Sequence, residues 1–206
     1  MSDWPERLTL SLSNLFFLAP MVMLWRQPRK QVIAEIFFLC AITITSTFYH
    51  LCDNGSKETK VCILPWSYLY LFDFVLSYQM AYLVFFYDLN IEPIIKYIAL
   101  VLSLTINIMF MFVPKEIAFF NYITLVLIGS LSVYIRYKYY KLRDLNLQYL
   151  LIALVYVFAA TIVKNISPSE YKHYWVFHSL WHVLISFAIM FSFNIEKESI
   201  RNLEDG

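Results

Sequence analysis

Phe177-His178-Ser179-Leu180-Trp181-His182-Val183-Leu184-Ile185 opens the last long apolar segment of the chain. The two histidines are four residues apart, so in a helix they lie on one face, one turn above the other. At that spacing both ring nitrogens can reach a single metal ion, as the histidines of helical zinc motifs do. A pair of histidines hydrogen-bonded to neighbouring helices explains the same pattern. Further ligands at the same depth would favour the metal.

The composition is typical of an integral membrane protein. Of 206 residues, 60% are hydrophobic and 15% are charged, whereas a soluble domain is about half apolar and a quarter charged. A helical span needs roughly 20 apolar residues, and the runs of sufficient length are 8–25, 31–51, 64–87, 93–113, 117–137, 147–164 and 174–194. They predict an all-α membrane protein with seven transmembrane helices in a single domain over 1–195. A short cytoplasmic tail, 196–206, follows. Pro20 lies inside the first run and predicts a kink there.

The distribution of basic residues predicts the orientation. With the N-terminus outside and the C-terminus cytoplasmic, ten of the sixteen Lys and Arg residues fall on the cytoplasmic side, as the positive-inside rule requires. The two glycosylation sequons, Asn54-Gly55-Ser56 and Asn165-Ile166-Ser167, then lie outside. No run of basic residues suggests a nucleic-acid partner.

Five polar side chains fall at one depth near the outer face. Ser46 and His50 end the second span, Asp73 lies about two turns into the third, and the two histidines begin the seventh. At 1.5 Å per residue, all five lie within roughly 5–13 Å of that face. His50, His178 and His182 would then be three zinc ligands with an open fourth position, a set typical of catalytic zinc.

Asp73 and Ser46 would complete such a site. Asp73 could act as a general base toward water or orient a ligand, and Ser46 could donate a hydrogen bond to an oxyanion. A buried polar network that fixes how helices two, three and seven pack is the alternative.

Cys52 and Cys62 flank a short polar loop that this orientation places outside. Because that compartment is oxidising, we expect the two cysteines to form a disulfide.

This constellation resembles the signature of the CREST superfamily of membrane hydrolases, which includes alkaline ceramidases, progestin/adipoQ receptors and a GPI-cleaving phospholipase. The resemblance is closer to the branch that this phospholipase shares with the myomaker family of myoblast fusion proteins. The residues that carry it are Ser46-Thr47-Phe48-Tyr49-His50-Leu51-Cys52-Asp53, Val61-Cys62-Ile63-Leu64, Asp73-Phe74 and His178-Ser179-Leu180-Trp181-His182. The start of the chain, 11–30, also resembles the myomaker family. Two features differ from vertebrate myomakers: the tail has no cysteine, and Asp73 is retained as in the hydrolases.

The resemblance implies a multi-pass plasma-membrane protein that promotes cell–cell fusion of myoblasts at the hemifusion step, by means other than hydrolysis. It also implies a zinc site near the outer leaflet. The partners implied are membrane lipid and the apposing cell membrane, with a homo-oligomer and a small fusogenic protein as further partners. The alternative is a zinc-dependent lipid amidase or esterase that acts on an outer-leaflet lipid, with Asp73 and Ser46 as catalytic residues. A receptor of the adipoQ type is a third reading, which the charge bias opposes because those proteins run with the N-terminus inside.

The orientation can be tested with an epitope tag at the N-terminus. We expect antibody to reach this tag on intact cells, because the basic residues favour an outer N-terminus. A tag that is detected only after permeabilisation would reverse the orientation and move the histidines to the inner leaflet.

Overall fold

The described part of the chain contains helices and no strands. The computed structural model describes residues 4–26, 32–52, 61–88, 93–112, 146–166 and 173–194, together with positions 127, 129, 131, 134 and 138. The elements are α1 (Trp4–Ser13), a 3-10 segment (Asn14–Phe17), α2 (Leu18–Trp25), α3 (Ile33–Cys52), α4 (Trp66–Asp88), α5 (Pro93–Met111), α6 (Leu147–Ile166) and α7 (Tyr174–Ser192). These elements confirm the all-α class.

Five stretches of the described residues are long and apolar enough to cross a membrane. They are Trp4–Trp25, Ile33–Cys52, Trp66–Tyr87, Leu147–Ile166 and Tyr174–Ser192, and they match the first, second, third, sixth and seventh predicted spans. The fourth predicted span contains α5, whose apolar part, Ile94–Met109, is shorter. The fifth predicted span, 117–137, and the tail, 196–206, lie almost wholly outside the described residues. The count of seven and the orientation therefore stay predictions.

The first span is irregular in its middle. The 3-10 segment separates α1 from α2 shortly before Pro20, which has no N–H to donate to the carbonyl of Phe16 four residues earlier. The Ser186 hydroxyl of α7 donates to that carbonyl at 2.6 Å. The last helix therefore supplies a hydrogen bond that the proline removes from the first.

The order of packing places the first span between α3 and α7. α1 packs against both of these helices, α4 packs against α3 and α5, and α6 packs against α7. A core of buried apolar side chains fills the centre, with Phe17 and Leu24 of the first span, Leu39 and Ile42 of α3, and Met80 and Leu83 of α4. The end of α3 and the start of α7 therefore both lie against α1.

Two of the basic residues that were counted as loop charges to predict the orientation are buried in helices. Arg7 in α1 is 2% exposed and its Nη1 lies 3.5 Å from the carbonyl of Leu51. Lys96 in α5 forms a buried ion pair with Glu35, near the start of α3. Without them the basic residues still favour the same orientation.

The Glu35–Lys96 pair gives a test of the packing of α3 against α5. We expect Glu35→Gln to destabilise the bundle by about 3–5 kcal/mol, because it leaves an uncompensated ammonium in the interior. The double variant Glu35→Leu, Lys96→Leu removes both charges and should recover most of the loss. Thermal unfolding in detergent measures both. A single variant as stable as the wild type would show that the ion pair does not hold these helices together.

Candidate metal site

Three buried imidazoles converge at one end of the bundle. His50 lies in the last turn of α3, and His178 and His182 lie in the first turns of α7. Their ring centroids are 5.0 Å apart for His50 and His178, 5.3 Å for His50 and His182, and 4.7 Å for the two α7 histidines. One nitrogen of each ring lies within 4.8 Å of the other two. The three histidines can therefore hold a metal ion together.

Hydrogen bonds between α1 and α3 position His50. The Ser11 hydroxyl donates to the carbonyl of Thr47 at 3.2 Å, and the Thr47 hydroxyl lies 3.4 Å from the carbonyl of Ser11. Two residues beyond His50, Cys52 is joined to Cys62 by a disulfide with a Cα–Cα distance of 4.7 Å. The end of α3 is therefore tied both to the first span and to the segment that leads into α4.

Ser13 of α1 orients His182. The Ser13 hydroxyl donates its proton to the carbonyl of Leu10 at 2.6 Å, and its oxygen lies 2.7 Å from Nδ1 of His182. A hydroxyl has a single proton, so Nδ1 of His182 must donate in this second contact. That arrangement fixes the tautomer and leaves the lone pair of Nε2 free for a metal ion.

Lys164, near the end of α6, lies beside His178. Its ammonium is 3.4 Å from Nδ1 of His178 and 4.8 Å from the ring centre of Trp181. Lys164 is one of the exterior basic residues of the predicted orientation, and neither it nor Ser13 is among the predicted site residues. Depth in the membrane could have identified Ser13, since it lies five residues into the first predicted span and Ser46 lies five residues before the end of the second.

Ser46 lies one helical turn before His50 and links Asp73 to the site. The carboxylate of Asp73 in α4 accepts a hydrogen bond from the Ser46 hydroxyl, and Ser46 precedes His50 by one turn of α3. Ser46 is buried and Asp73 is half-buried. Asp73 does not belong to the group of converging donor atoms. The structure thus brings all five predicted residues to one end of the bundle, with the carboxylate beside the ligand set.

His50 shows that the pocket fits a metal ion. It is 1% exposed, and neither of its ring nitrogens has a hydrogen-bond partner among the described residues. An unsatisfied buried polar atom costs about 1–3 kcal/mol, and a metal ion would satisfy one of these two atoms. Three neutral imidazole nitrogens suit a transition-metal ion such as zinc.

Comparison with known proteins assigns the chain to a family. Residues 3–183 match the family model DUF3522, described as a protein of unknown function. The chain belongs to the DUF3522 family. The match includes α1 to α6 and both histidines of α7, so the candidate site lies within the family region.

The curated relatives of this DUF3522 chain are longer than it is. It is 25% identical to human post-GPI attachment to proteins factor 6 over 187 residues, which are 87% of this chain and 24% of that protein. Identity to the mouse protein of the same name is 26%, over 89% of this chain and 24% of the relative. Mouse transmembrane protein 8B is 27% identical over 208 residues, 97% of this chain and 43% of that protein. Together with the apolar helices of this chain, these relatives support its assignment as a multi-pass membrane protein.

Replacing Ser13 tests its contact with His182. We expect Ser13→Ala to weaken zinc binding by about 10- to 100-fold, because the Nδ1–H of His182 loses its acceptor. Titration of the metal-free protein in detergent against a competing chelator measures the affinity. Ser186→Ala, which removes a buried hydroxyl one turn beyond His182 that bonds Phe16, is the matched control. Equal losses in both variants would indicate a packing effect and would contradict the positioning role.

Proposed function

We propose that this chain is a zinc-dependent membrane hydrolase that cleaves an ester or amide bond of a lipid. The observation that supports this most directly is the Ser46–Asp73 pair, whose serine lies one helical turn before His50, one of three converging imidazoles. Because Ser46 lies so close to His50, the carboxylate that it hydrogen-bonds is near the ligand set. A hydrolase requires such a group to accept a proton from water.

The spacing of the imidazoles suits zinc. Tetrahedral coordination at about 2.1 Å places ligand nitrogens roughly 3.4 Å apart. The donor atoms of His50, His178 and His182 lie within 4.8 Å of one another, so each pair is wider than that by at most about 1.4 Å. Small rotations of the side chains close this gap. Three nitrogen ligands leave the fourth position for the reacting molecules.

Three side chains near the imidazoles have separate roles in the proposed hydrolysis. A zinc ion in this site supplies a Lewis acid that polarises the scissile carbonyl and acidifies water. Asp73 is then the group that accepts the proton from water and returns it to the leaving group. Ser46 donates its hydroxyl proton to Asp73, so it holds the carboxylate in place; this role differs from the predicted one of donating to an oxyanion. Ser13 fixes the ring of His182 in the same way.

The substrate enters from the outer leaflet of the plasma membrane in this proposal. The basic residues favour an outer N-terminus, which places the end of α3 and the start of α7 toward the outer face. Two relatives are named for a step after the attachment of GPI to proteins, which makes lipids of the GPI-anchor class candidates. The chain spans about a quarter of those proteins, so the substrate must be tested directly.

Promotion of myoblast fusion is the second candidate. It is favoured by the resemblance of Ser46–Asp53, the Val61–Leu64 segment and the start of the chain to the myomaker family. In that case the bundle acts at the hemifusion step on the apposing membrane, as a homo-oligomer or with a small fusogenic protein. Asp73 is the residue that separates the two functions, because only hydrolysis requires a general base.

Replacing Asp73 tests the hydrolase. We expect Asp73→Ala to lower lipid cleavage by about 10²- to 10⁴-fold, since a positioned general base contributes that much, while zinc content stays at one ion per chain. Purified protein with zinc is assayed for fatty-acid release from fluorescent phosphatidylcholine and ceramide. Ser77→Ala, which removes a hydroxyl that donates to the Asp73 backbone carbonyl, is the control. Undiminished cleavage by Asp73→Ala, or no cleavage by the wild type, would overturn the hydrolase.

A cell-mixing assay applied to the same variant tests fusion. Two populations that express the wild-type chain should mix, and Asp73→Ala at the same surface level should mix equally well. Loss of mixing with zinc intact would make fusion depend on hydrolysis. No mixing by the wild type would remove the fusion candidate.

A further inference from the structure

Arg7 is a buried cation that the proposed chemistry does not use. It lies near the start of α1 and is 2% exposed, although a charged side chain in a membrane helix is costly to bury. Its guanidinium lies 5.4 Å from the centre of the Trp4 ring, and its Nη1 lies 3.5 Å from the carbonyl oxygen of Leu51. That carbonyl belongs to the residue that directly follows His50 in the chain.

The Leu51 carbonyl is at the end of α3, where a cation is favourable. The last four carbonyls of a helix have no partner within it and carry a partial negative charge, and Leu51 is the last residue but one of α3. Its carbonyl accepts a hydrogen bond from the backbone N–H of Val61 at 3.4 Å and attracts the guanidinium of Arg7. Basic side chains commonly stabilise helix ends in this way.

A second contact between the same two helices fixes the register of the first. Ser11 lies one turn beyond Arg7 on α1, and it bonds to Thr47, which lies one turn before Leu51 on α3. The two helices are therefore antiparallel here, and the two contacts enclose the stretch of α3 that carries His50. Ser11 acts on the next-to-last turn of α3, whereas Arg7 acts on the last turn.

The last turn of α3 matters to the metal site because it carries one of the three imidazoles. His178 and His182 are on one helix, so their spacing is set by α7 itself. His50 is on another helix and in its last turn, and terminal turns fray more easily than the middle of a helix. A frayed end of α3 would leave two imidazoles to hold the metal ion.

We propose that Arg7 is a positioning residue for the metal site, because it caps the C-terminus of α3 and so holds His50 against the two histidines of α7. In this role it contacts neither the metal ion nor the substrate and acts through the backbone of α3. The inference rests on the metal site of the proposed hydrolase and does not require hydrolysis.

Cobalt(II) in place of zinc reports the number of imidazoles. With three nitrogen ligands and a fourth group the ion is tetrahedral and absorbs visible light strongly, whereas with fewer protein ligands it takes up water, becomes octahedral and absorbs weakly. The metal-free wild type and each variant, in detergent, are titrated with cobalt(II). His50→Ala supplies the spectrum of the site with two imidazoles.

The test variants are Arg7→Met and Arg7→Lys. Methionine fills much of the volume of arginine without a charge, and replacing a buried charge by an apolar side chain is often tolerated. Lysine keeps a cation at the helix end. Lys96→Met is the matched control, since it also removes a buried cation, deprives Glu35 of its partner and lies roughly 22 Å from His50 along α3.

We expect Arg7→Met to bind cobalt(II) about 10- to 100-fold more weakly than the wild type, the usual effect of losing a group that orients a ligand. Its absorption should fall toward that of His50→Ala. Arg7→Lys should recover most of the absorption, and Lys96→Met should keep the wild-type spectrum although it is less stable. A wild-type spectrum and affinity in Arg7→Met would overturn the proposal, as would an equal loss in Lys96→Met.

Hydrogen–deuterium exchange of the metal-free protein separates this proposal from the metal site. The amides in the last turn of α3 should exchange faster in Arg7→Met than in the wild type, while those of α5 should not change. Faster exchange in a protein that binds no cobalt would support the cap and refute the metal site. Cobalt binding without any lipid cleavage would refute the hydrolase and leave the role of Arg7 standing. Unchanged exchange in Arg7→Met would refute the cap.

Discussion

The hydrogen bonds of α1 with its two neighbours are the interactions on which the site depends. Ser11 bonds α3 through Thr47, and Ser13 bonds α7 through His182. In a bundle surrounded by lipid, the hydrophobic effect does little to hold one helix against another, so buried polar contacts and close packing decide which helices meet. These two serines stand two residues apart on α1 and thereby bring the ends of α3 and α7 to one place.

Much of the site could be predicted from the sequence because depth in a membrane is a linear function of position in a helix. His50, Asp73 and the α7 histidines share a depth in the predicted spans, and the structure brings them to one end of the bundle. Ser13 and Lys164 were missed for different reasons. Serines are frequent in such helices and carry little signal, whereas the direction of a long lysine side chain depends on rotamers that no sequence pattern specifies.

The all-α class and five of the spans could be predicted from the sequence. The fourth span was harder to predict. The apolar part of α5, Ile94–Met109, contains Lys96, and hydropathy cannot reveal that this charge is neutralised by Glu35, 61 positions away. Ion pairs between helices that are distant in sequence satisfy charges that a window average counts as costs. Arg7 and Lys96 are weak guides to topology for the same reason. Both lie near the ends of predicted spans, where the positive-inside rule counts basic residues, yet both are buried.

The position of α1 between α3 and α7 has a consequence for biosynthesis. Ser13 and His182 are 169 residues apart in the chain, so α1 leaves the ribosome well before α7, the helix to which it bonds. At about 5–20 residues per second, α1 waits roughly ten to thirty seconds for its partner. Throughout that interval the buried hydroxyl of Ser13 faces the membrane without the contact with His182 that it makes in the finished bundle. We therefore expect the nascent first span to be bound by chaperones of membrane insertion until α7 has been made. In a chain truncated before α7, Ser13 would never gain its contact with His182.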